Sequence, residues 1–156
     1  MKIYNANESD RVRQHTDPEI LDKIEHDIES SLRFYATQPK EEITRRIDAL
    51  EREWDIERVL ETNAATLGLT GAFFGLVRGR KWLLLTCAVS AFLFQHAVSG
   101  WCPPVPVLRR LGFRTRTEID REKFALKALR GDFSELPQAS PHEENPAREI
   151  LQSISA

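Results

Sequence analysis

The sequence has little cysteine and lacks the common signatures of catalytic and nucleotide-binding sites. Its two cysteines, Cys87 and Cys102, are too few for a disulfide framework. The patterns GxxxxGK[ST], GxGxxG, HExxH, CxxC and GxSxG are absent, which excludes the local motifs of several large enzyme classes. The sequence therefore predicts no catalytic residue, no metal site and no cofactor, and it favours a protein that is not an enzyme.

Two further absences limit where the protein acts and what it binds. The N-terminal stretch MKIYNANESD has no apolar core of the kind found in signal peptides. We therefore expect no secretion and a cytoplasmic N-terminus. The basic segment near the C-terminus lacks interleaved aromatic residues that could stack on bases, so nucleic acid is not an expected partner.

Formal charge is missing from two long stretches in the middle of the chain. Residues 62–77 and 82–108 contain no charged side chain, and a short basic break separates them. At about 1.5 Å per residue, the first stretch reaches only about 24 Å, which is short for a hydrocarbon core of roughly 30 Å. A helix in that place must therefore start before the uncharged stretch. We predict an all-α protein with a two-helix transmembrane hairpin over residues 59–108.

Small and aromatic residues support the predicted hairpin. Small side chains let membrane helices approach closely, and this packing role is predicted for Ala64, Gly68, Gly71 and Gly75. Trp82 and Trp101 are 19 residues apart, about 28 Å along a helix, which suits side chains at the two membrane interfaces. With Arg109 and Arg110 just beyond them, these tryptophans are the predicted interface anchors.

Polar residues of the first uncharged stretch are expected to make specific contacts. Asn63, Thr66 and Thr70 are predicted to hydrogen bond between the two helices. Glu61, just before the stretch, is expected to pair with Arg58 or Arg109, and a place in a proton path is the alternative. Cys87 in the second helix is predicted to be a packing residue.

Amphipathic helices are predicted before the hairpin. Asp17-Pro18 marks a helix start, and a second helix begins near Lys40, with apolar residues at steps of three and four in both. The matched stripes favour an antiparallel helical pair over residues 17–58. No glycine or proline separates the second helix from the hairpin, so a continuous helix is expected. Residues 1–16 are predicted to form a flexible arm.

A basic amphipathic helix is predicted after the hairpin, over residues 109–131. It carries eight basic and three acidic side chains, which favours anionic lipids as a partner at the membrane surface. Thr117 is the expected N-cap and Gly131 the expected end. Residues 132–156 are predicted to be an acidic, mostly disordered tail. Counting basic residues places both termini in the cytoplasm, and we expect a homo-oligomer or a larger membrane complex.

The segment HAVSGWCPPVPVLRRLG, with Gly100, Cys102, Pro103, Leu111 and Gly112, resembles the YgaP-like inner-membrane domain family of bacteria. The resemblance covers residues 54–113. It implies a bacterial inner-membrane protein with a helical hairpin, from a family of largely unknown function. Some relatives carry a rhodanese sulfurtransferase domain. This chain has none, so that activity does not carry over.

Three functions remain open at this point. The first is a non-enzymatic scaffold or accessory subunit of a membrane complex, in which the hairpin inserts and the flanking helices dock other proteins. The second is a sulfur- or redox-handling membrane protein that uses Cys102, with His96 as a further redox or ligand candidate because ionisable groups in membrane helices are often functional. The third is a soluble helical interaction protein with the hairpin as its core.

Overall fold

The computed structural model describes residues 10–134, and all regular structure in that range is helical. The elements are α1 (Arg11–Gln14), α2 (Pro18–Tyr35), α3 (Lys40–Arg52), α4 (Ile56–Val77), a 3-10 turn (Arg80–Trp82), α5 (Leu83–Ser99), α6 (Pro104–Arg110) and α7 (Arg116–Arg130). The all-α prediction is confirmed. Residues 1–9 and 135–156, which include part of the predicted arm and most of the predicted tail, lie outside the described range.

Residues 10–16 are part of the folded structure. Asp10 caps α1 by accepting a hydrogen bond from the Arg13 N–H at 3.1 Å. Val12 is buried in an apolar cluster formed with the starts of α4 and α6. The predicted flexible arm is therefore wrong from residue 10 onward. The side chain of Val12 packs against residues far along the chain, such as Ile56 and Val105, and a local sequence pattern does not reveal such contacts.

Helices α2 and α3 begin where predicted but pack on an unexpected partner. Asp17 caps α2 by accepting from the Glu19 N–H at 3.0 Å, and α3 begins at Lys40. The apolar stripe of α3 is buried against Ile119 and Leu126 of α7, and the end of α2 packs on the same cluster. The two stripes thus share α7 as a common partner, where a direct antiparallel pair was expected.

Helix α3 does not continue into α4. It ends at Arg52, and α4 begins at Ile56 with Asp55 as N-cap, accepting from the Arg58 N–H at 2.8 Å. The Ile56 N–H donates to the carbonyl of Arg114 at 2.9 Å. The predicted continuous helix is wrong because a carboxylate cap and a distant carbonyl satisfy amide groups that are left free where a helix starts.

Helices α4 and α5 form an antiparallel pair joined by the 3-10 turn, and we call residues 56–99 the helix pair. The turn follows Gly79, whose φ of +129° is a conformation that L side chains rarely adopt. The remaining described segments, 10–55 and 100–134, form the head. Val59 and Leu60 at the base of the pair are buried, whereas most of the pair beyond them is not.

Helix α7 starts two residues earlier than its predicted N-cap implies. The Thr115 hydroxyl accepts from the Glu118 N–H, and the Glu118 carboxylate accepts from the Thr115 N–H at 2.9 Å. This reciprocal capping box needs glutamate or glutamine three residues after the cap. Thr117 was the wrong choice because Asp120 stands at that position after it. Gly131 ends the helix with a φ of +96°, as predicted.

Candidate functional site

Gly71 and Gly75 lie where α4 and α5 approach most closely. A Cβ atom at Gly71 would lie 2.6 Å from the Thr86 hydroxyl oxygen and 3.0 Å from the Thr86 backbone nitrogen. A Cβ atom at Gly75 would lie 2.5 Å from a methyl carbon of Leu83. Alanine at Gly71 would crowd the Thr86 backbone, whereas at Gly75 the Leu83 side chain would have to move. We call this close approach of α4 and α5 the seam. Gly68, given the same role in the sequence analysis, contacts α5 through its carbonyl, but a Cβ atom there would meet no atom within 4 Å, so packing does not require glycine at this position.

The polar residues of α4 do not form the predicted bonds between helices. Asn63, Thr66 and Thr70 each donate to a backbone carbonyl four residues earlier on α4, at 2.7 to 2.8 Å. The hydrogen bond that does join the two helices has its donor on α5, where the Thr86 hydroxyl donates to the Gly68 carbonyl of α4 at 3.1 Å. Threonine in a helix readily bonds its own backbone, which explains the difference.

The outward faces of the helix pair are apolar and uncovered. Residues 80–99 form a 20-residue segment of mean hydropathy 1.5, long and apolar enough to cross a membrane, and none of its apolar window is buried. Seven large apolar side chains on the pair are between 61% and 87% exposed: Leu69, Phe73, Leu76, Val77, Leu84, Phe94 and Val98. Soluble monomers rarely expose contiguous apolar surface on this scale. Cys87, predicted to pack, is exposed on the same surface.

The four predicted interface anchors occupy different environments. Trp82 and Trp101 are partly exposed at opposite ends of α5, and the Trp82 ring lies 5.2 Å from that of Phe74, centre to centre. Arg110 is exposed on α6. Arg109 is only 1% exposed and lies inside the head, so its guanidinium does not reach a surface where lipid headgroups could meet it.

Arg109 is the centre of a buried ionic network. It donates to both carboxylate oxygens of Glu118, at 2.7 and 2.8 Å, and to the Thr16 hydroxyl at 3.0 Å. Arg13 of α1 also donates to Glu118 at 3.0 Å and to Glu25 of α2 at 2.8 Å. Burial raises the pKa of Glu118, but the hydrogen bonds from Arg109 and Thr115 outweigh it, so the pKa lies below its ordinary value.

A second buried carboxylate, Glu122, is equally well satisfied. It accepts hydrogen bonds from Arg114 at 2.5 Å, from Arg46 at 2.8 and 3.0 Å and from Ser31 at 2.6 Å. Arg114 also donates twice to Glu53, at 2.8 and 2.6 Å. The network therefore joins α2, α3, α7 and the segment before α4. Each charged side chain of the network is hydrogen bonded to an oppositely charged one, which suits a structural role.

Cys102 is buried, and no cation among residues 10–134 lowers the pKa of its thiol. It is 4% exposed and belongs to an apolar cluster with Val12 and Leu60. Arg109, the basic residue seven positions later, is bonded to Glu118. Cys102 lies beyond the end of α5, and burial raises the pKa of its thiol. A reactive cysteine needs thiolate character and access, and Cys102 has neither.

His96 lies between two cavities. It lines an apolar cavity of about 390 Å³ together with Cys102 and Leu108, although a spacing of six residues does not place His96 and Cys102 on one face of a helix. Its Nδ1 is buried and has no hydrogen-bond partner among the described residues. Within residues 10–134, no group of three or more histidine, cysteine or acidic side chains could hold a metal ion.

The larger cavity, of about 880 Å³, lies between the helix pair and the head. Its charged and titratable lining residues are Asp10, Arg11, Glu57, Glu61, His96 and Arg116. One carboxylate oxygen of Glu57 is buried without a hydrogen-bond partner among the described residues. Burial raises the pKa of Glu57, and the nearby carboxylates of Asp55 and Asp10 raise it further.

Glu61 lines the same cavity without its predicted ion pair. The Arg58 guanidinium lies over the Trp54 ring, 4.4 Å from its centre, and Arg109 is bonded to Glu118. Among the described residues no ion pair to Glu61 forms. The prediction was wrong because both arginines found partners that the sequence spacing does not indicate.

No family of known proteins, no curated protein and no solved structure matches this chain. The resemblance to the YgaP-like family therefore remains a prediction from the residues of the segment around Cys102.

The ionic network of the head is the feature that sequence analysis missed. One signal was available, because Thr115 and Glu118 stand at capping-box spacing, which predicts a fixed carboxylate at the start of α7. The arginines that meet it come from positions 96 residues apart in the chain, Arg13 and Arg109, and no local pattern joins them.

Proposed function

We propose that this protein is a small bacterial membrane protein that acts as a non-enzymatic scaffold or accessory subunit of a membrane complex. In this proposal α4 from Val59 onward and α5 cross the membrane, and the head lies in the cytoplasm. Residues 100–108 of the predicted hairpin 59–108 belong to the head, because Cys102 and Val105 pack with Val12. The observation that carries it is the 20-residue apolar segment 80–99, whose apolar window is entirely unburied. Water is a poor environment for such a surface, whereas lipid is a good one.

The architecture of the head supports a hairpin with both ends on one side. Chain from before and after the helix pair packs together, since Val12 and Val105 share one apolar cluster and Ile47 and Leu126 share another. If α5 spans a bilayer, α4 must return through it for the head to close. The exposed basic turn, residues 78–81, would then face the opposite side, which is a cost under the positive-inside rule.

The chemistry of the head supports a scaffold over an enzyme. Glu118 and Glu122 are held by arginines, and Cys102 is buried with a raised pKa. The sulfur- or redox-handling alternative requires an accessible thiolate at Cys102, and the geometry gives it no support. The soluble alternative requires a protein partner that covers the same apolar faces of the helix pair.

The proposed contact with anionic lipids rests on fewer residues than the charge of residues 109–131 suggests. Arg109, Arg114 and Arg121 are all paired with carboxylates of the head. Arg110 is exposed and makes no ion pair among residues 10–134. Lys127 of α7 is half-buried and likewise makes no ion pair within that range. A headgroup contact would therefore depend on Arg110, on Lys127 and on the basic turn of the helix pair, if that turn meets anionic lipid on the far side.

Membrane fractionation tests the proposal. The full chain, expressed in bacteria, should sediment with membranes, resist extraction by alkaline carbonate and dissolve only in detergent. Purification in mild detergent should then recover the same partner, or a defined homo-oligomer, with wild type and with Cys102→Ser. A chain that stays monodisperse in plain buffer would overturn the membrane proposal. Loss of the assembly in Cys102→Ser, with the fold intact, would favour the thiol alternative.

A further inference from the structure

The 880 Å³ cavity has a charged end and an apolar end. The charged end lies at the base of the helix pair, where Glu57 and Glu61 occupy one face of α4, four residues apart. From there small and apolar side chains line the cavity toward the turn, including Ala64, Ala65, Gly68 and Leu93. From Glu57 to Gly68 the cavity follows α4 for 11 residues, about 16 Å. This shape suits an elongated amphiphile.

Both signs of charge face the charged end. Glu57 has a buried carboxylate oxygen without a partner, and Glu61 makes no ion pair within the described range. Nη1 of Arg11 donates to the carbonyls of Ala97 and Val98 at the end of α5. Arg116, paired with Asp120 at 3.3 Å, lines the cavity opposite. A ligand carrying both an anion and a cation complements these groups.

We propose that this cavity binds one phospholipid whose headgroup carries a primary ammonium, such as phosphatidylethanolamine. Its ammonium donates to the carboxylates of Glu57 and Glu61, its phosphate lies toward Arg11 and Arg116, and one acyl chain follows the small-residue wall of α4. The site rests on the proposed function insofar as it assumes that the helix pair meets lipid.

A primary ammonium fits this end of the cavity better than a quaternary one. Ionised carboxylates only accept hydrogen bonds, and a primary ammonium offers three N–H donors to Glu57 and Glu61, whereas the trimethylammonium of phosphatidylcholine offers none. Hydrogen bonds in which both groups are charged are the stronger class. An ammonium in contact would also favour the ionised carboxylate, against the burial that raises the pKa of Glu57.

The test is competition between two lipids that differ only in N-methylation. The full chain in mild detergent receives equal amounts of phosphatidylethanolamine and phosphatidylcholine with identical acyl chains, and native mass spectrometry counts the lipid retained. Wild type should prefer the primary amine roughly tenfold, which corresponds to about 1.4 kcal/mol. Glu57→Gln should bring the ratio near one. Glu51→Gln, an exposed change on α3 away from the cavity, should keep it.

Each outcome decides for or against the site. Equal retention of both lipids by wild type overturns the proposal, as does an undiminished preference in both Glu57→Gln and Glu61→Gln. If circular dichroism shows that Glu57→Gln does not fold, the lipid preference of Glu61→Gln, a change at an exposed residue, decides. Because binding is measured in detergent, the result does not depend on membrane fractionation. A lipid preference in a chain that fails to fractionate with membranes would keep the site and remove the membrane scaffold.

Discussion

Arg109 and Glu118 form a two-hydrogen-bond ion pair inside the head, at 2.7 and 2.8 Å, with both side chains at most 1% exposed. The pair joins the segment that leaves the helix pair to the first turn of α7. The Thr16 hydroxyl also accepts a hydrogen bond from Arg109, and Arg13 donates a further hydrogen bond to Glu118. Segments from both sides of the helix pair are thereby fixed at one point.

Removing Arg109 should destabilise the head strongly. Arg109→Ala leaves Glu118 buried with only Arg13 as a charged partner, and breaking a buried ion pair in this way typically costs about 3 kcal/mol or more. Chemical denaturation in mild detergent, followed by circular dichroism, measures the loss. Arg33→Ala, which breaks an exposed pair with Glu29, should change the free energy of unfolding by less than about 1 kcal/mol. Similar losses in the two variants would contradict the structural role of the buried pair.

Acid should weaken the head below the ordinary glutamate pKa. Burial raises the pKa of Glu118 and Glu122, but arginine hydrogen bonds outweigh it and both lie below 4.5 in the folded protein. Their contribution is therefore complete above pH 4.5 and declines as the pH falls through the folded pKa. The free energy of unfolding, measured between pH 7 and pH 3, should fall most steeply at the acid end.

A variant separates this effect from general acid sensitivity. Glu122→Gln should reduce the slope of stability against pH below 4.5, because one lowered carboxylate no longer titrates. Glu41→Gln, an exposed change in the first turn of α3, should leave the slope as it is. An unchanged slope in Glu122→Gln would show that other groups control acid unfolding.

Alanine substitutions at two glycines of α4 should have different effects on the stability of the helix pair. Gly71→Ala places a Cβ 2.6 Å from the Thr86 hydroxyl oxygen, and crowding of this kind costs about 1 to 3 kcal/mol. Gly68→Ala has open space at the same atom and should not destabilise the pair. Detergent-induced unfolding, followed by tryptophan fluorescence in a Trp54→Phe, Trp101→Phe background that retains Trp82, compares them. Equal losses would mean that α4 and α5 do not approach at Gly71.

Cys87 should report whether lipid or water surrounds α5. It is exposed on α5, whereas Cys102 is buried in the head. A membrane-impermeant charged maleimide should leave Cys87 unmodified in intact membranes, because neither the reagent nor a thiolate is stable in hydrocarbon. It should modify Cys87 once denaturing detergent removes the lipid and opens the fold. Prompt labelling of Cys87 in membranes would favour an aqueous environment or a loose protein partner.

Local chemistry determined the helix limits that the sequence predicted correctly. Asp17-Pro18, Lys40 and Gly131 act within one turn of the chain, through capping, proline geometry and left-handed backbone. The seam glycines were also recognisable, since their small size is a property of the residue itself. Which of them requires the absence of a Cβ atom depends on the rotation of α4 against α5, and Gly68 has open space at that position.

The sequence by itself determined that the chain is helical and that its middle is uncharged and apolar, because propensity, capping and charge act between neighbouring residues. The tertiary structure alone decided which partner each charge has. In the sequence Arg109 and Arg114 belong to a basic segment that predicts an exposed surface. In the fold Arg109 forms an ion pair with Glu118, and Arg114 forms ion pairs with Glu53 and Glu122. A buried arginine is stable only when distant carboxylates meet it in the right geometry, and that meeting is a property of the packed helices.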